Sequence, residues 1–192
     1  MLWFGKRKKR LERSRVAVLV ADGVEQAQLD AAVKQLRAAG SDVFIIGVRP
    51  GKARAFRALK PSVVVPIDAT LGEVHPASFH ALVIPGGSVH ADRLRQSPAA
   101  LGFIRDFNRA KRPIAAIGHA AAVLASAGVV AARRLTGWPG IKDDIANAGG
   151  VWLDEPYVVD ENLLTGRASR DAGTWSKQLV KHVGRLADVE GV

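Results

Sequence analysis

The stretch that most constrains the fold runs from Lys111 to Ala125 and reads KRPIAAIGHAAAVLA. Its apolar run from Ile114 to Ile117 is typical of a strand buried on both faces of a parallel sheet. The alanine-rich segment after it predicts a helix, so the chain must turn sharply at Gly118-His119. In a nucleophile elbow, such a corner holds one residue beside the first backbone N–H groups of the helix. Here the corner residue, Gly118, has no side chain.

Apolar runs alternate with helical patterns along the rest of the chain. Consecutive aliphatic and β-branched residues predict buried strands over 15–21, 43–48, 81–84 and 114–117. Helical spacing follows the first of these runs and recurs after residue 97 and toward the end of the chain. Shorter extended pieces are predicted at 53–56 and 63–67, and a hairpin around Asp160-Glu161. We therefore predict one α/β domain, a doubly wound and mostly parallel sheet with helices on both faces.

The chain of 192 residues contains no cysteine. This excludes disulfides, thiolate nucleophiles, cysteine-ligated zinc and iron–sulfur clusters. Its histidines show no metal-ligand spacing, and its glycines match neither a dinucleotide-binding fingerprint nor a P-loop. We predict no metal and no cofactor. No apolar run approaches the roughly 20 residues of a membrane span, and no secretory signal is evident, so we predict a cytoplasmic protein.

The net charge of +10 is concentrated near the start, because residues 1–15 hold seven Lys and Arg against one Glu. We divide the chain into a basic leader, 1–14, and a domain, 15–192. The segment Leu2-Trp3-Phe4 followed by cations is suited to an anionic membrane surface or to nucleic acid. The alternative is a solvated terminus that aids solubility.

Three features come directly after predicted strands: Glu25, the pair Gly86-Gly87, and Gly118-His119. Ligands of open α/β sheets bind at the carboxyl ends of strands, so neighbouring strands would bring these features into one crevice. Each has a structural alternative. Glu25 would cap a helix, the glycine pair would form a tight turn instead of offering N–H groups to an anion, and His119 would be an ordinary first-turn residue instead of a general base.

Taken in order, several segments resemble the ThiJ/PfpI family of the class I glutamine amidotransferase-like fold, in its intracellular protease-like branch. The likeness covers roughly residues 16–181 and is carried by VADGVE (20–25), ALVIPGG (81–87), DRLR (92–95), RPIAAI (112–117), RRLT (133–136) with Trp138-Pro139, and DDIANAG (143–149). The resemblance implies a flavodoxin-like sandwich, usually dimeric or larger. It also implies a site with an elbow cysteine, the next histidine, an acidic residue from a neighbouring subunit, and a carboxylic acid hydrogen-bonded to the cysteine.

Matched by position, the carboxylic acid is similar to Glu25, the histidine to His119 and the neighbouring subunit's acid to Asp92. The cysteine position is Gly118. The family's elbow ordinarily reads Ala-Ile-Cys-His-Gly-Pro, whereas this chain has Ala-Ile-Gly-His-Ala-Ala, and the segment 167–173 after the last strand is altered as well. Glycine also relieves the backbone strain that a side chain at an elbow incurs.

Three functions follow as hypotheses. The first is a non-catalytic, stress-associated oligomer whose crevice binds a small carbonyl compound or anion at Gly87, His119 and Glu25. The second is a residual hydrolase or glyoxalase in which Glu25 and His119 act without a covalent intermediate. The third is a membrane- or nucleic-acid-associated module acting through residues 1–15. The family's own class would be a cysteine-dependent peptidase, amidase, deglycase or glyoxalase, and the missing thiol favours the non-catalytic hypothesis.

Overall fold

The computed structural model describes residues 11–187, with side chains as far as residue 185. Its strands, in chain order, are β1 (Arg15–Val20), β2 (Asp42–Gly47), β3 (Lys52–Arg57), β4 (Lys60–Pro66), β5 (Ala69–Thr70), β6 (Ala81–Ile84), β7 (Ile114–Ile117), β8 (Arg134–Leu135), β9 (Val151–Trp152), β10 (Tyr157–Asp160) and β11 (Leu163–Gly166). Its helices are α1 (Gln26–Ala39), α2 (Ser88–Arg95), α3 (Pro98–Arg109), α4 (Ala120–Ser126), α5 (Lys142–Asn147) and α6 (Ala172–Ala187).

Seven of these strands form one sheet in the order β10-β11-β7-β6-β1-β2-β5. Every pairing in it is parallel except that of the edge strand β10 with β11. Strands β3 and β4 form a separate antiparallel hairpin, and β8 and β9 a short parallel pair. The order places β6 between β1 and β7, so the three strands whose ends carry the candidate site residues are neighbours.

Helices cover both faces of the sheet. Alternate side chains of β1 point to opposite faces and are buried on both. Val16, Val18 and Val20 belong to a core shared with α1 and α6, in which Trp175 is the largest buried side chain. Ala17 and Leu19 belong to a second core, formed with α2 to α5. The predicted doubly wound, mostly parallel fold is confirmed.

Helix α2 is an element that the sequence did not predict. The segment before β6 contains one 3₁₀ turn, Pro76–Ser78. The segment 88–95 reads SVHADRLR, with three charged side chains and only Val89 and Leu94 as large apolar residues. Such a stretch has a weak helical signal by itself. It is helical because Ala91 and Leu94 pack into the core beneath it.

The basic stretch 6–10 lies outside the described residues, but the end of the predicted leader does not. Leu11 is buried in the core of α1 and its backbone N–H donates to the carbonyl of Ala39 at 3.0 Å. Ser14 is also buried and its hydroxyl bonds that of Ser41 at 2.7 Å. Residues 11–14 therefore pack on the domain, and the leader boundary at residue 14 stays a prediction. Within residues 11–187, no helix is long and apolar enough to cross a membrane.

His90 makes the stability of the fold depend on pH. It is fully buried on α2, with Nε2 3.3 Å from the carbonyl oxygen of Leu19, and burial lowers the pKa of His90 to about 4. The unfolded chain takes up this proton near pH 6.5, so stability is complete above that pH and is lost as the pH falls toward 4. We expect a loss of about 2 kcal/mol between pH 7 and pH 5 from this residue alone.

Urea unfolding of the wild-type protein and of His90→Phe at pH 7 and pH 5 measures how much of the stability loss on acidification comes from His90. Phenylalanine keeps an aromatic ring in the core and cannot be protonated, so the variant should lose less stability on acidification. His119 and His182, whose pKa values are also lowered by burial, remain in both proteins. Equal pH dependence in the two proteins would contradict the assignment.

Candidate functional site

The ends of β1, β6 and β7 converge on one cavity of about 390 Å³. Its wall comes from the loops after these strands, the tip of the β3–β4 hairpin, the loop before α5 and the segment after β11. The lining residues are Gly23, Glu25, Gln28, Phe56, Ala58, Leu59, Gly87, Ser88, Val89, Gly118, His119, Trp138 and Ser169. Glu25, Gly87, Gly118 and His119, proposed from the sequence, are thus brought together.

Gly118 forms the elbow. Its φ of +63° lies in the left-handed region, which glycine adopts without a steric penalty. Its N–H donates to the carbonyl of Gly166 at 2.9 Å, and its own carbonyl accepts from the N–H of Trp138 at 3.1 Å. The sharp strand–turn–helix corner predicted from the sequence is present, and hydrogen bonds on both sides fix it.

Gln28, a residue that sequence reasoning missed, lies against this elbow. A Cβ built on Gly118 would stand 3.1 Å from Gln28 Nε2 and 3.4 Å from its Oε1, and the three nearest atoms to that point all belong to Gln28. The side chain is buried and hydrogen-bonded through both of its polar atoms, because Oε1 accepts from the N–H of Gly86 at 2.7 Å and Nε2 donates to Ser169 Oγ at 2.9 Å. A neutral amide therefore occupies the place beside the nucleophile position.

Glu25 lies at the mouth of the same cavity, half-buried. It is the residue before α1, but its side chain makes no capping hydrogen bond, so the capping alternative does not describe it. Its carboxylate accepts instead from the backbone N–H of Ala58 at 3.3 Å, at the tip of the hairpin. The family resemblance implies a carboxylic acid beside the elbow, and this acid was matched to Glu25. The side chain nearest to a Cβ built on Gly118, however, is that of Gln28.

His119 is half-buried at the start of α4 and stacks on the indole of Trp138, with ring centroids 5.4 Å apart and planes 19° apart. Burial lowers the pKa of His119, so the imidazole is neutral at pH 7. A neutral imidazole is able to accept a proton, which is the requirement for a general base. Trp138 is 44% exposed despite this stack, and its ring forms one side of the cavity mouth.

Gly86 and Gly87 serve close backbone packing. A Cβ on Gly87, whose φ is +111°, would lie 2.2 Å from the carbonyl oxygen of Gly23, and a Cβ on Gly86 would lie 2.5 Å from the carbonyl oxygen of Ile117. The N–H of Gly86 is already bonded to Gln28. Of the two N–H groups expected to face an anion, that of Gly86 is therefore engaged within the protein.

Asp92, matched to the acid of a neighbouring subunit, is exposed on α2 and accepts a hydrogen bond from Gln96 Nε2 at 2.9 Å. It does not line the cavity. Its predicted role requires a second copy of the chain and stays a prediction. Among the described residues that line the cavity, Glu25 is the one with a formal charge at pH 7.

The cavity is therefore lined by groups able to form hydrogen bonds and by an imidazole and a carboxylate able to exchange protons, but no strong nucleophile stands at the elbow. Ser88 and Ser169 line the cavity, and the Ser169 hydroxyl is held by Gln28. Histidine, aspartate and glutamate side chains form no metal-binding group of three anywhere in residues 11–187.

Comparison with known proteins places these features in context. Residues 14–182 match the DJ-1/PfpI family. The chain is 35% identical to a deglycase of Pyrococcus abyssi over 87% of its own length and 98% of that protein. It is 34% identical to protein/nucleic acid deglycase 2 of Escherichia coli, over 88% of the chain and 98% of that protein.

Solved structures agree with the sequence comparison. A two-domain protein of Anabaena variabilis, with DJ-1/ThiJ/PfpI-like and ferritin-like domains, superposes with a TM-score of 0.83 at 29% identity. The match covers 90% of this chain and 48% of that one, so this chain spans about half of the two-domain protein. DJ-1beta of Drosophila melanogaster gives a TM-score of 0.81 at 26% identity, over 94% and 98% of the two chains.

Proposed function

Because this chain belongs to the DJ-1/PfpI family, we propose that it keeps the family's pocket as a binding site for a small carbonyl compound or anion and lacks covalent catalysis. The sequence resemblance is confirmed at the level of the family, and the two sequence relatives named above, of Pyrococcus abyssi and Escherichia coli, are deglycases. A role in stress protection and assembly into a homodimer or larger oligomer belong to the same proposal.

One observation carries the proposal. The elbow residue is Gly118, and the group beside it is the amide of Gln28, so the place where the family resemblance implies a thiol and a carboxylic acid holds neither. No cysteine elsewhere in the chain is able to replace the thiol. The pocket itself is open and keeps polar groups from Glu25, Gln28 and Ser169.

The direct test is turnover of glyoxal and methylglyoxal by the purified full-length protein. We expect consumption no faster than in buffer, and no change in His119→Ala, because covalent attack requires a nucleophile that is absent. The Escherichia coli deglycase 2, assayed in parallel, is the positive control. Turnover by the wild-type protein that disappears in His119→Ala would overturn the proposal.

Binding is measured separately by calorimetry with two unreactive probes, pyruvate as an anionic carbonyl compound and hydroxyacetone as a neutral one. Gln28→Leu removes the amide at the base of the pocket and serves as the pocket variant, while Asp92→Asn, outside the lining, serves as the matched control. Binding of either probe that weakens in the first variant alone supports the proposal. Equal affinity of all three proteins would exclude this pocket as the site.

A second candidate, residual acid–base catalysis, has one observation in its favour. Glu25 and the neutral His119 line the same cavity. If His119 is the base, the rate falls as acid protonates it, and the midpoint of that fall lies below pH 6.5 because burial lowers the pKa. A pH–rate profile with this shape would favour the candidate.

The third candidate, membrane or nucleic-acid binding through residues 1–15, stays a prediction because residues 1–10 lie outside the described part of the chain.

A further inference from the structure

The positive charge of the domain is concentrated in one segment. Residues 43–67 contain five cations and no acidic residue. Since residues 1–15 contribute +6 to the total of +10, and residues 43–67 contribute +5, the rest of the chain sums to −1. The segment is largely the β3–β4 hairpin, and the side chains of its cations, Arg49, Lys52, Arg54, Arg57 and Lys60, are exposed.

The outer face of the hairpin combines these cations with apolar side chains. Cross-strand partners lie on the same face, and the register pairs Arg54 with Val64 and Lys52 with Pro66. Val64 is 42% exposed, and Leu59, at the tip between Arg57 and Lys60, is 73% exposed. Within the described residues, Lys52, Arg54, Arg57 and Lys60 form no salt bridge, while Arg49 pairs with Asp22. Cationic side chains around an apolar tip are suited to an anionic interface.

The conformation and the charges of the hairpin tip also lower the stability of the fold. Ala58 and Leu59 have φ values of +47° and +70°, a conformation that two-residue hairpin loops ordinarily give to Asn and Gly. Arg57 lies directly opposite Lys60, and like charges at such a pair repel each other. Strained backbone and facing like charges on an exposed loop indicate a function other than stability.

We propose that the β3–β4 hairpin docks the protein on an anionic lipid surface. Leu59 and Val64 enter the interfacial region, and Arg57, Lys60, Lys52 and Arg54 contact lipid phosphates. The exposed apolar side chains of the hairpin are aliphatic, and its aromatic residue, Phe56, is half-buried and lines the cavity. The hairpin therefore offers no exposed aromatic ring on which a nucleic acid base could stack. A second copy docking hairpin to hairpin would set four positive charges against four.

Docking would also cover the mouth of the pocket, because Ala58 and Leu59 line it. Ligands would then reach the pocket from the lipid interface. The surface is separate from residues 1–10, so its contribution has to be measured apart from theirs.

The absence of cysteine allows a clean test with the full chain. Leu59→Cys and Lys177→Cys are each labelled with an environment-sensitive fluorophore, the latter on the exposed side of α6. With vesicles of phosphatidylglycerol and phosphatidylcholine, the dye at position 59 should shift to shorter wavelength and the dye at 177 should not. Neither should respond to pure phosphatidylcholine, or to the mixed vesicles at high salt.

Vesicle sedimentation gives the matched charge test. The double variant Arg57→Gln with Lys60→Gln should weaken partitioning to the vesicles roughly 10- to 30-fold, since each cation near such a surface contributes about 1 kcal/mol. The control, Lys34→Gln with Lys177→Gln, removes the same charge and should leave partitioning nearly unchanged. Equal loss in both pairs, or vesicle binding that leaves the dye at 59 in water, would assign the attraction to net charge or to the leader. A shift at 59 produced by DNA alone, or by raising the protein concentration without lipid, would assign the surface to nucleic acid or a second copy. Each of these results overturns the proposal.

Discussion

Replacing Gly87 by alanine is expected to lower the free energy of unfolding by roughly 3 to 5 kcal/mol. Two costs add. The φ of +111° is unfavourable for any side chain, and the new Cβ would lie 2.2 Å from the carbonyl oxygen of Gly23 and 2.9 Å from the N–H nitrogen of Glu25. Both are backbone atoms, which cannot rotate away, so the loop after β1 must move. Urea unfolding measures the loss, and the same shift would displace Glu25 from the pocket.

Two other glycines separate these costs. Gly51 has a φ of +93° with no atom within 4 Å of a built Cβ, so Gly51→Ala reports backbone strain alone, about 1 to 2 kcal/mol. Gly102 lies in α3 with open space around it, and Gly102→Ala should stabilise the protein by up to about 1 kcal/mol. If Gly87→Ala costs no more than Gly51→Ala, the close approach of the two loops is not what glycine provides at position 87.

The sheet could be predicted because its strands are apolar on both faces. The runs at 16–21 and 114–117 have no polar side chain that would place one face in water, which restricts them to the interior of a parallel sheet. The adjacency of β1, β6 and β7, which the sequence left conditional, is what turns three separate loops into one cavity. Local pattern thus predicts the elements, while their lateral order depends on packing that no single segment contains.

Gln28 shows where prediction from sequence ended. A glutamine in the first turn of a helix is ordinarily a solvated residue, and nothing near it in the chain indicates burial. It is buried because the loop after β6 supplies the N–H of Gly86 and the segment after β11 supplies Ser169, which are 58 and 141 residues away. The charge of the hairpin was overlooked for a related reason. Arg57 and Lys60 read as scattered cations until the register sets them opposite each other.

Introducing a thiol at the elbow alone is expected to leave the protein inactive toward glyoxals. In Gly118→Cys the side chain would adopt a φ of +63° and meet the Gln28 amide at 3.1 Å, so the variant should fold with a cost of roughly 1 to 2 kcal/mol. The amide supplies no ionisable group. Gln28→Glu restores one at the same place and keeps an oxygen for the N–H of Gly86. The double variant should therefore exceed Gly118→Cys in turnover by about 100-fold, the lower end of what a positioned acid or base contributes.

Gly118→Ser with Gln28→Glu is the matched control, since a hydroxyl at the same corner is a much weaker nucleophile than a thiolate. Circular dichroism and urea unfolding establish that all variants are folded before rates are compared. If Gly118→Cys alone reaches the rate of the double variant, the Gln28 amide does not limit turnover and the thiol is the only group that has to be added. If instead neither Gly118→Cys nor Gln28→Glu raises turnover alone and the double variant does, then positions 118 and 28 act as one unit, and the reaction requires both the thiol and the carboxylic acid.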